Sequence, residues 1–291
     1  MKQVVKQQRA DYQVVPYPKI RLWQAAAYRS VRHKPTMHGL IDVDVTGARA
    51  RIRERQATTG ESLSFTAFLI ACLAKAVDEH KAVQALRQGG DRLILFDDVD
   101  VWTPIEHDMA GQKQVVPTII RAANRKSLRE IHREIRAAQT RDTTRGVNRL
   151  RLLPRFLFRP YFWIFSWRAR RDPQIWKKSV GTVSITAVGM FAGGAGWGIP
   201  IPPPVLMVTV GGIDEKPGGV DGQIALREYL SLTISFDHEL VDGAPAARFT
   251  RRLKELIESG YGLGDSTAES ERAAAPRMSQ QKAETFYPAL P

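Results

Sequence analysis

The segment SFDHELVDG, from Ser235 to Gly243, sets a histidine and an acid four residues apart, His238 and Asp242. An alternating, strand-like stretch precedes it and an amphipathic helix follows, so the group reads as a tight corner at a strand end. From such a corner His238 can project into a cleft while Asp242 fixes the turn. An imidazole titrates near neutrality, which suits a general acid or base. Taken alone, a histidine so placed is more often structural than catalytic; the surrounding elements have to decide.

The other residues able to do chemistry point nowhere. His33, His38, His80, His107 and His132 show no metal-ligand spacing, and no metal is expected. Cys72 is the only cysteine, which excludes a disulfide framework and any multi-cysteine metal site. It sits in the apolar stretch FLIACLAKAV and is expected to pack there. GGAGWG, at 193–198, misses the GxGxxG spacing and is followed by prolines instead of a helix, so it does not read as a nucleotide loop.

The elements that must position the corner are legible from periodicity. IRLWQAAAYRSVR is a short helical candidate, and GLIDVDVT at 39–46 alternates like a strand. SFTAFLIACLAKAV reads as a helix with Ser64 as N-cap. RLILF and DVDVWTPI read as strands. Ser127 and Glu130 stand at capping-box spacing before a helix with Leu128, Ile131 and Ile135 on one face. From Ser179 to Ile213 there is no charge, but 12 of those 35 residues are Gly or Pro. No helix alone in lipid could satisfy its backbone through that run, so two buried strands joined by a loop are expected. YLSLTISF puts Leu230, Leu232, Ile234 and Phe236 on one side. A last helix over about 244–258, with Phe249, Leu253, Leu256 and Ile257 inward, stops at Gly260. Helices and strands mix without a regular βαβ period, which favours α+β. The N-terminus lacks an apolar secretion signal, so an intracellular, cytoplasmic protein is expected.

The chain has 291 residues, 43% of them apolar, with 43 basic against 30 acidic residues and a net charge of +13. That composition suits a folded globular chain and excludes a largely disordered one. The charge is local. Between Arg141 and Lys178 stand eleven Lys or Arg and only Asp142 and Asp172, so this stretch carries +9 and leaves +4 elsewhere. It also holds eight of the 24 aromatic residues. Three readings stay open: a packing or assembly segment with snorkelling arginines, contact of 150–176 with a membrane or acidic partner, or single-stranded nucleic acid. Nucleic acid is the weakest, because no recognition motif accompanies the charge. Arg155, Arg159 and Pro160 break the stretch too often for it to span a bilayer.

DHELVDGAPAARFTRRLKELIES resembles the active-site segment of the dihydrolipoamide acyltransferases, the E2 cores of the 2-oxoacid dehydrogenase complexes. Their signature is DHRxxDG before an alanine-rich helix start, and chloramphenicol acetyltransferases share its HxxxDG kernel. IDVDVT, SFTAFLIACLAKAVDEH, DVDVWTPI, VVPTIIRAANRKSLREIHREI, GTVSITAVGMF and PPPVLMVTVGGIDEKPGGVDGQIALREYLSLTISFDH resemble the family's further core segments in the family's order. The resemblance covers about 20–262. It implies a chloramphenicol-acetyltransferase-like α+β two-layer sandwich, a mixed sheet with helices on one face, as a trimeric building block. The active site would lie between subunits, and trimers could build a cage. The chain would divide into an extension at 1–19, an acyltransferase domain at 20–262 with a basic aromatic insert at about 145–178, and a flexible tail at 263–291.

The resemblance also implies CoA-dependent acyl transfer, with His238 as general base toward coenzyme A or dihydrolipoamide. The matching hydroxyl for the oxyanion is Thr186, and β propensity alone could also account for a threonine there. Asp242 would hold the histidine loop through an arginine, with Arg29 a candidate, and Gly243 would permit the turn into the last helix. Three departures stand out. No lipoyl or subunit-binding domain precedes the core, so a lipoyl group would come on another chain, unless a different thiol, amine or hydroxyl is the acceptor. Glu239 stands where the family has arginine. The insert replaces a short polar connection. Glu239 and the missing arm leave a second expectation open: a catalytically weak scaffold subunit that assembles and docks partners.

Overall fold

Residues 34–89, 91–109, 112–140, 158–189, 193–201 and 205–264, with Arg21 and Ala25, are described by the computed structural model. The first strand, β1 (Thr36–Asp44), leads into a helix, α1 (Thr46–Thr59), that periodicity did not announce. TGARARIRERQATT has no apolar stripe and buries only Ala48. Ion pairs hold it instead: Arg49 meets Glu228 at 2.7 Å, and Arg55 meets Glu61 at 3.1 Å. Gly60, at φ 71°, ends the helix in the left-handed conformation that glycine adopts without strain.

The central helix α2 (Phe65–Glu79) starts where expected, with the Ser64 hydroxyl accepting from the Ala67 N–H. It buries ten residues, Cys72 among them, whose thiol donates to the Leu256 carbonyl at 3.7 Å. A hairpin of β2 (Leu86–Gln88) and β3 (Arg92–Ile94) follows, then β4 (Val101–Met109) and β5 (Gln112–Ile120). In α3 (Leu128–Thr140) the Ser127 N–H donates to Glu130 Oε2 at 2.8 Å and the Ser127 hydroxyl accepts from the Glu130 N–H, closing the capping box.

After α4 (Phe158–Arg171) and α5 (Pro173–Val180), the chain runs through β6 (Val183–Ala187), β7 (Leu206–Val220) and β8 (Gln223–Asp237) to α6 (Gly243–Glu258). Six strands form one sheet in the order β1-β8-β7-β6-β4-β5. β6 lies parallel to both β4 and β7, and the remaining pairs are antiparallel. The sheet is therefore mixed. Leu69 and Leu73 of α2 and Leu253 and Ile257 of α6 close on Ile185, Val208, Val210 and Leu232 from one side. This is the expected α+β two-layer sandwich with helices on one face.

The described residues of the uncharged Gly/Pro run include the end of α5, β6, the first part of β7 and loop segments at 188–189, 193–201 and 205. The segment at 193–201 explains its glycines. β7 shifts register between Val210 and Ile213, and residues 194–196 lie on the shifted segment. A Cβ on Gly212 would stand 1.6 Å from the Gly194 carbonyl oxygen, and one on Gly211 2.0 Å from that of Gly196. Only bare backbone allows this approach.

Among the described residues of the basic aromatic stretch there are two helices. Asp172 caps α5, accepting from the Gln174 N–H at 2.8 Å, and Pro173 opens the helix where its missing N–H costs nothing. At the other end, Arg121 donates to the carbonyls of Lys177 at 2.6 Å and Lys178 at 2.7 Å, and to Asp100 Oδ2 at 2.7 Å. One guanidinium thus ties the end of α5 to the sheet. Gln88 Nε2 donates to the Arg171 carbonyl at 2.7 Å and fastens the end of α4 to the hairpin. Among the described residues, no helix is long and apolar enough to cross a membrane. The expectations for 1–19, for most of IRLWQAAAYRSVR and for the tail beyond 264 lie outside the described residues.

Candidate functional site

β8 delivers the histidine. Its inward side chains Leu230, Leu232, Ile234 and Phe236 are all buried, and the strand ends at Asp237. The next residues turn at once. The His238 N–H donates to the Pro35 carbonyl at 2.8 Å, and the N–H groups of Leu240 and Val241 both reach the Asp237 carbonyl, at 3.0 and 3.1 Å. The Asp237 carboxylate, 1% exposed by residue, accepts from Lys34 Nζ and from the Glu239 N–H at 3.2 Å. Backbone and carboxylate together clamp both sides of the loop.

The His238 ring is half-open to solvent, 48% exposed, with Nδ1 3.9 Å from Asp242 Oδ1. That separation is an ion-pair distance once the ring is protonated, and too long for a hydrogen bond. Asp242 occupies the N-cap position of α6, yet its side chain makes no cap bond and is 77% exposed. Arg29, its candidate partner, lies outside the described residues. The clamp on the loop is Asp237, which the sequence reading did not single out. A signal was available: Ser231, Thr233, Ser235 and Asp237 form the alternate row of β8, and an acid ending such a row has to find a cation.

Gly243 opens α6 without a positive φ, and a Cβ built on it meets nothing within 4 Å. Within this chain the turn into the helix does not demand glycine. Glu239, beside the histidine, faces Arg87 of β2 at 3.7 Å, both side chains about half exposed. The charge reversed relative to the DHR signature has a cation opposite it.

Thr186 sits partly buried on β6, paired with Thr209, which pairs with Thr233. Directly paired residues share a face, so the three threonines line the side of the sheet away from the helices. The hydroxyls of Thr209 and Thr233 are buried and find no partner among the described residues. Thr186 and His238 do not meet within one chain. Thr233 lies level with Thr186 two strands away, and His238 follows five residues later. Strand geometry makes that separation on the order of 15 to 20 Å. The described residues set the histidine just past the end of β8 and the hydroxyl row across the interior strands β6, β7 and β8.

The same architecture recurs in solved acyltransferase cores. The cubic core of the pyruvate dehydrogenase multienzyme complex matches with a TM-score of 0.63 at 21% identity, over 90% of this chain and 99% of that one. The dihydrolipoamide acetyltransferase of Azotobacter vinelandii, studied for a serine, a histidine and an asparagine in its catalytic mechanism, matches equally, at 22% identity over 90% and 99%. The fold is thus that of the E2 catalytic cores. The family model for 2-oxoacid dehydrogenases acyltransferase (catalytic domain) matches residues 9–149 and 177–263, so the chain belongs to that family. Residues 150–176 fall outside the match. The lipoamide acyltransferase component of the branched-chain alpha-keto acid dehydrogenase complex of Bacillus subtilis (strain 168) is 24% identical over 238 residues, 79% of this chain and 48% of its own length. The chain spans about half the length of that curated relative.

Proposed function

We propose that the protein is a CoA-dependent acyltransferase of the E2 type, moving an acyl group between coenzyme A and dihydrolipoamide carried on another chain, with His238 as general base. The observation that carries this reading is the clamped corner at the end of β8. His238 is held by backbone and by Asp237, with its ring open to solvent and Nδ1 toward Asp242. With Nδ1 turned that way, Nε2 is left to take the proton from the attacking thiol. The thiolate adds to the thioester carbonyl, and a hydroxyl placed at the new oxyanion stabilises it. Collapse expels the other sulfur, which recovers the proton from the imidazolium.

In this reading the hydroxyl is Thr186 of a neighbouring copy. One chain holds Thr186 and His238 far apart, so a homotrimer with the site between subunits reconciles both roles. Assembly of trimers into a cage, as in the cubic pyruvate dehydrogenase core, belongs to the same proposal. The protein would act in the cytoplasm, and 150–176 would contact a membrane or an acidic partner.

A second reading, a weakly active scaffold, is favoured by Glu239 in place of the signature arginine. The test mixes acetyl-, propionyl- and longer acyl-CoA with free dihydrolipoamide and follows release of the CoA thiol. Wild type should turn over at least one donor, and His238→Ala should lose that rate. Equal inactivity of the two proteins, with assembly retained, would establish the scaffold.

A further inference from the structure

We propose that α4 docks this protein on an anionic lipid bilayer, its aromatic face entering the interface and its arginines meeting the headgroup phosphates. The inference deepens the reading of 150–176 given above, and its test does not require acyl transfer to occur.

Helical spacing puts Trp163, Ile164, Trp167 and Arg171 on one face, with Arg168 at its border. That face is open: Trp163 is 70% exposed, Ile164 50% and Trp167 45%. Ala169, on the opposite side, is buried. The helix cannot roll to hide its aromatics, because Gln88 holds its last carbonyl and Arg121 holds the end of α5 behind it. Fourteen residues make a rod about 21 Å long. That is too short to span a bilayer and suited to lying in its surface.

The charge on this face selects the lipid. α4 contains no acid, and the neighbouring Asp172 spends its carboxylate capping α5. Arg168 and Arg171 are exposed on α4 beside the tryptophans, and Lys178 is exposed on α5. The Arg171 guanidinium lies 3.9 Å over the Trp167 ring, a cation and an aromatic at one level, as the boundary between acyl chains and headgroups demands. A second copy docking through the same face would set like charges against each other. An anionic bilayer satisfies the tryptophans and the arginines together.

The experiment is co-sedimentation of the intact chain with phosphatidylcholine vesicles, with and without phosphatidylglycerol, alongside tryptophan emission. Wild type should pellet with the anionic vesicles, shift its emission to the blue, and release as salt rises. Trp163→Ser with Trp167→Ser, and separately Arg168→Glu with Arg171→Glu, should each weaken binding at least about tenfold at an unchanged melting temperature. Wild type left in the supernatant with both vesicles would overturn the proposal, as would a tryptophan variant that binds like wild type. Tighter binding of wild type to a single-stranded oligonucleotide than to the vesicles would assign the face to nucleic acid instead. Thiol release from acyl-CoA with soluble dihydrolipoamide, measured without vesicles, reports on the catalytic reading independently.

Discussion

Lys34 and Asp237 form a salt bridge in which the carboxylate side chain is almost fully buried and the ammonium a quarter exposed. It closes the base of the loop that carries His238, from a residue 203 positions earlier in the chain. Lys34→Ala would leave a buried carboxylate with the Glu239 N–H as its remaining donor in this loop. The exposure of Lys34 places the cost toward the low end for such pairs, about 2 kcal/mol. Thermal melting checks it. If His238 is the base, the same variant should lower kcat in the thiol-release assay more than it changes KM, because the salt bridge then acts by positioning that base. An unchanged melting point would mean the loop is held by its backbone bonds alone.

If the site is completed between copies, two inactive variants should rescue one another. His238→Ala and Thr186→Ala, unfolded together and reassembled, would produce sites of which about a quarter draw both residues intact. Activity should recover toward that fraction of the native rate, while each variant reassembled alone stays low. Thr186→Ala by itself should cost about 10²-fold in kcat, the usual loss for one oxyanion donor, and Thr186→Ser should restore it. Absence of rescue, with mixed assembly verified, would place both residues in one subunit's site or in none.

His132 accepts the Ser64 N–H on its Nδ1 at 3.0 Å, a bond available only to the neutral ring. Its pKa is lowered from the ordinary value by burial, then by Arg136, with Glu61 opposing. The unfolded chain therefore binds the proton more readily than the folded one. The stabilisation is complete above the ordinary histidine range, near pH 6.5, and drains away as pH falls through it. Melting temperatures between pH 7.5 and pH 5 should decline in wild type. In His132→Gln, which keeps an acceptor but not the titration, that decline should be shallower.

The glycines on the β7 bulge predict a sharp positional contrast. Gly212→Ala forces a Cβ into the Gly194 carbonyl and should cost about 1–3 kcal/mol. Gly219→Ala, on the same strand with nothing within 4 Å and no positive φ, should melt at or slightly above wild type. Loss of stability in both variants would trace the effect to strand backbone and not to the loop contact.

Much of the fold was legible because burial leaves a one-dimensional trace. The period of α2, the capping box at Ser127 and Glu130, and the alternation of β8 each record which side faces the core, and the helices and strands formed there. α1 left no such trace, since ion pairs from distant residues stabilise it and pairing across 179 positions has no local signature. α4 and α5 were hidden for a related reason: α4 leaves Trp163, Ile164 and Trp167 exposed and α5 buries no residue fully, so neither carries the core-facing stripe by which a helix is recognised.

At the site, the residue types and their order determined the chemistry to look for: a histidine at a strand end, an acid four positions on, and a threonine on a distant strand. Only the tertiary structure decided who holds whom. It made Asp237 the clamp in partnership with Lys34, and left Asp242 exposed at the head of α6. It set Thr186 two strands from β8, and His238 past the far end of that strand. It also turned the tryptophans of α4 outward. Sequence spacing specifies neighbours along an element; sheet order, register and the docking of one element on another specify neighbours in space, and catalysis and binding depend on the latter.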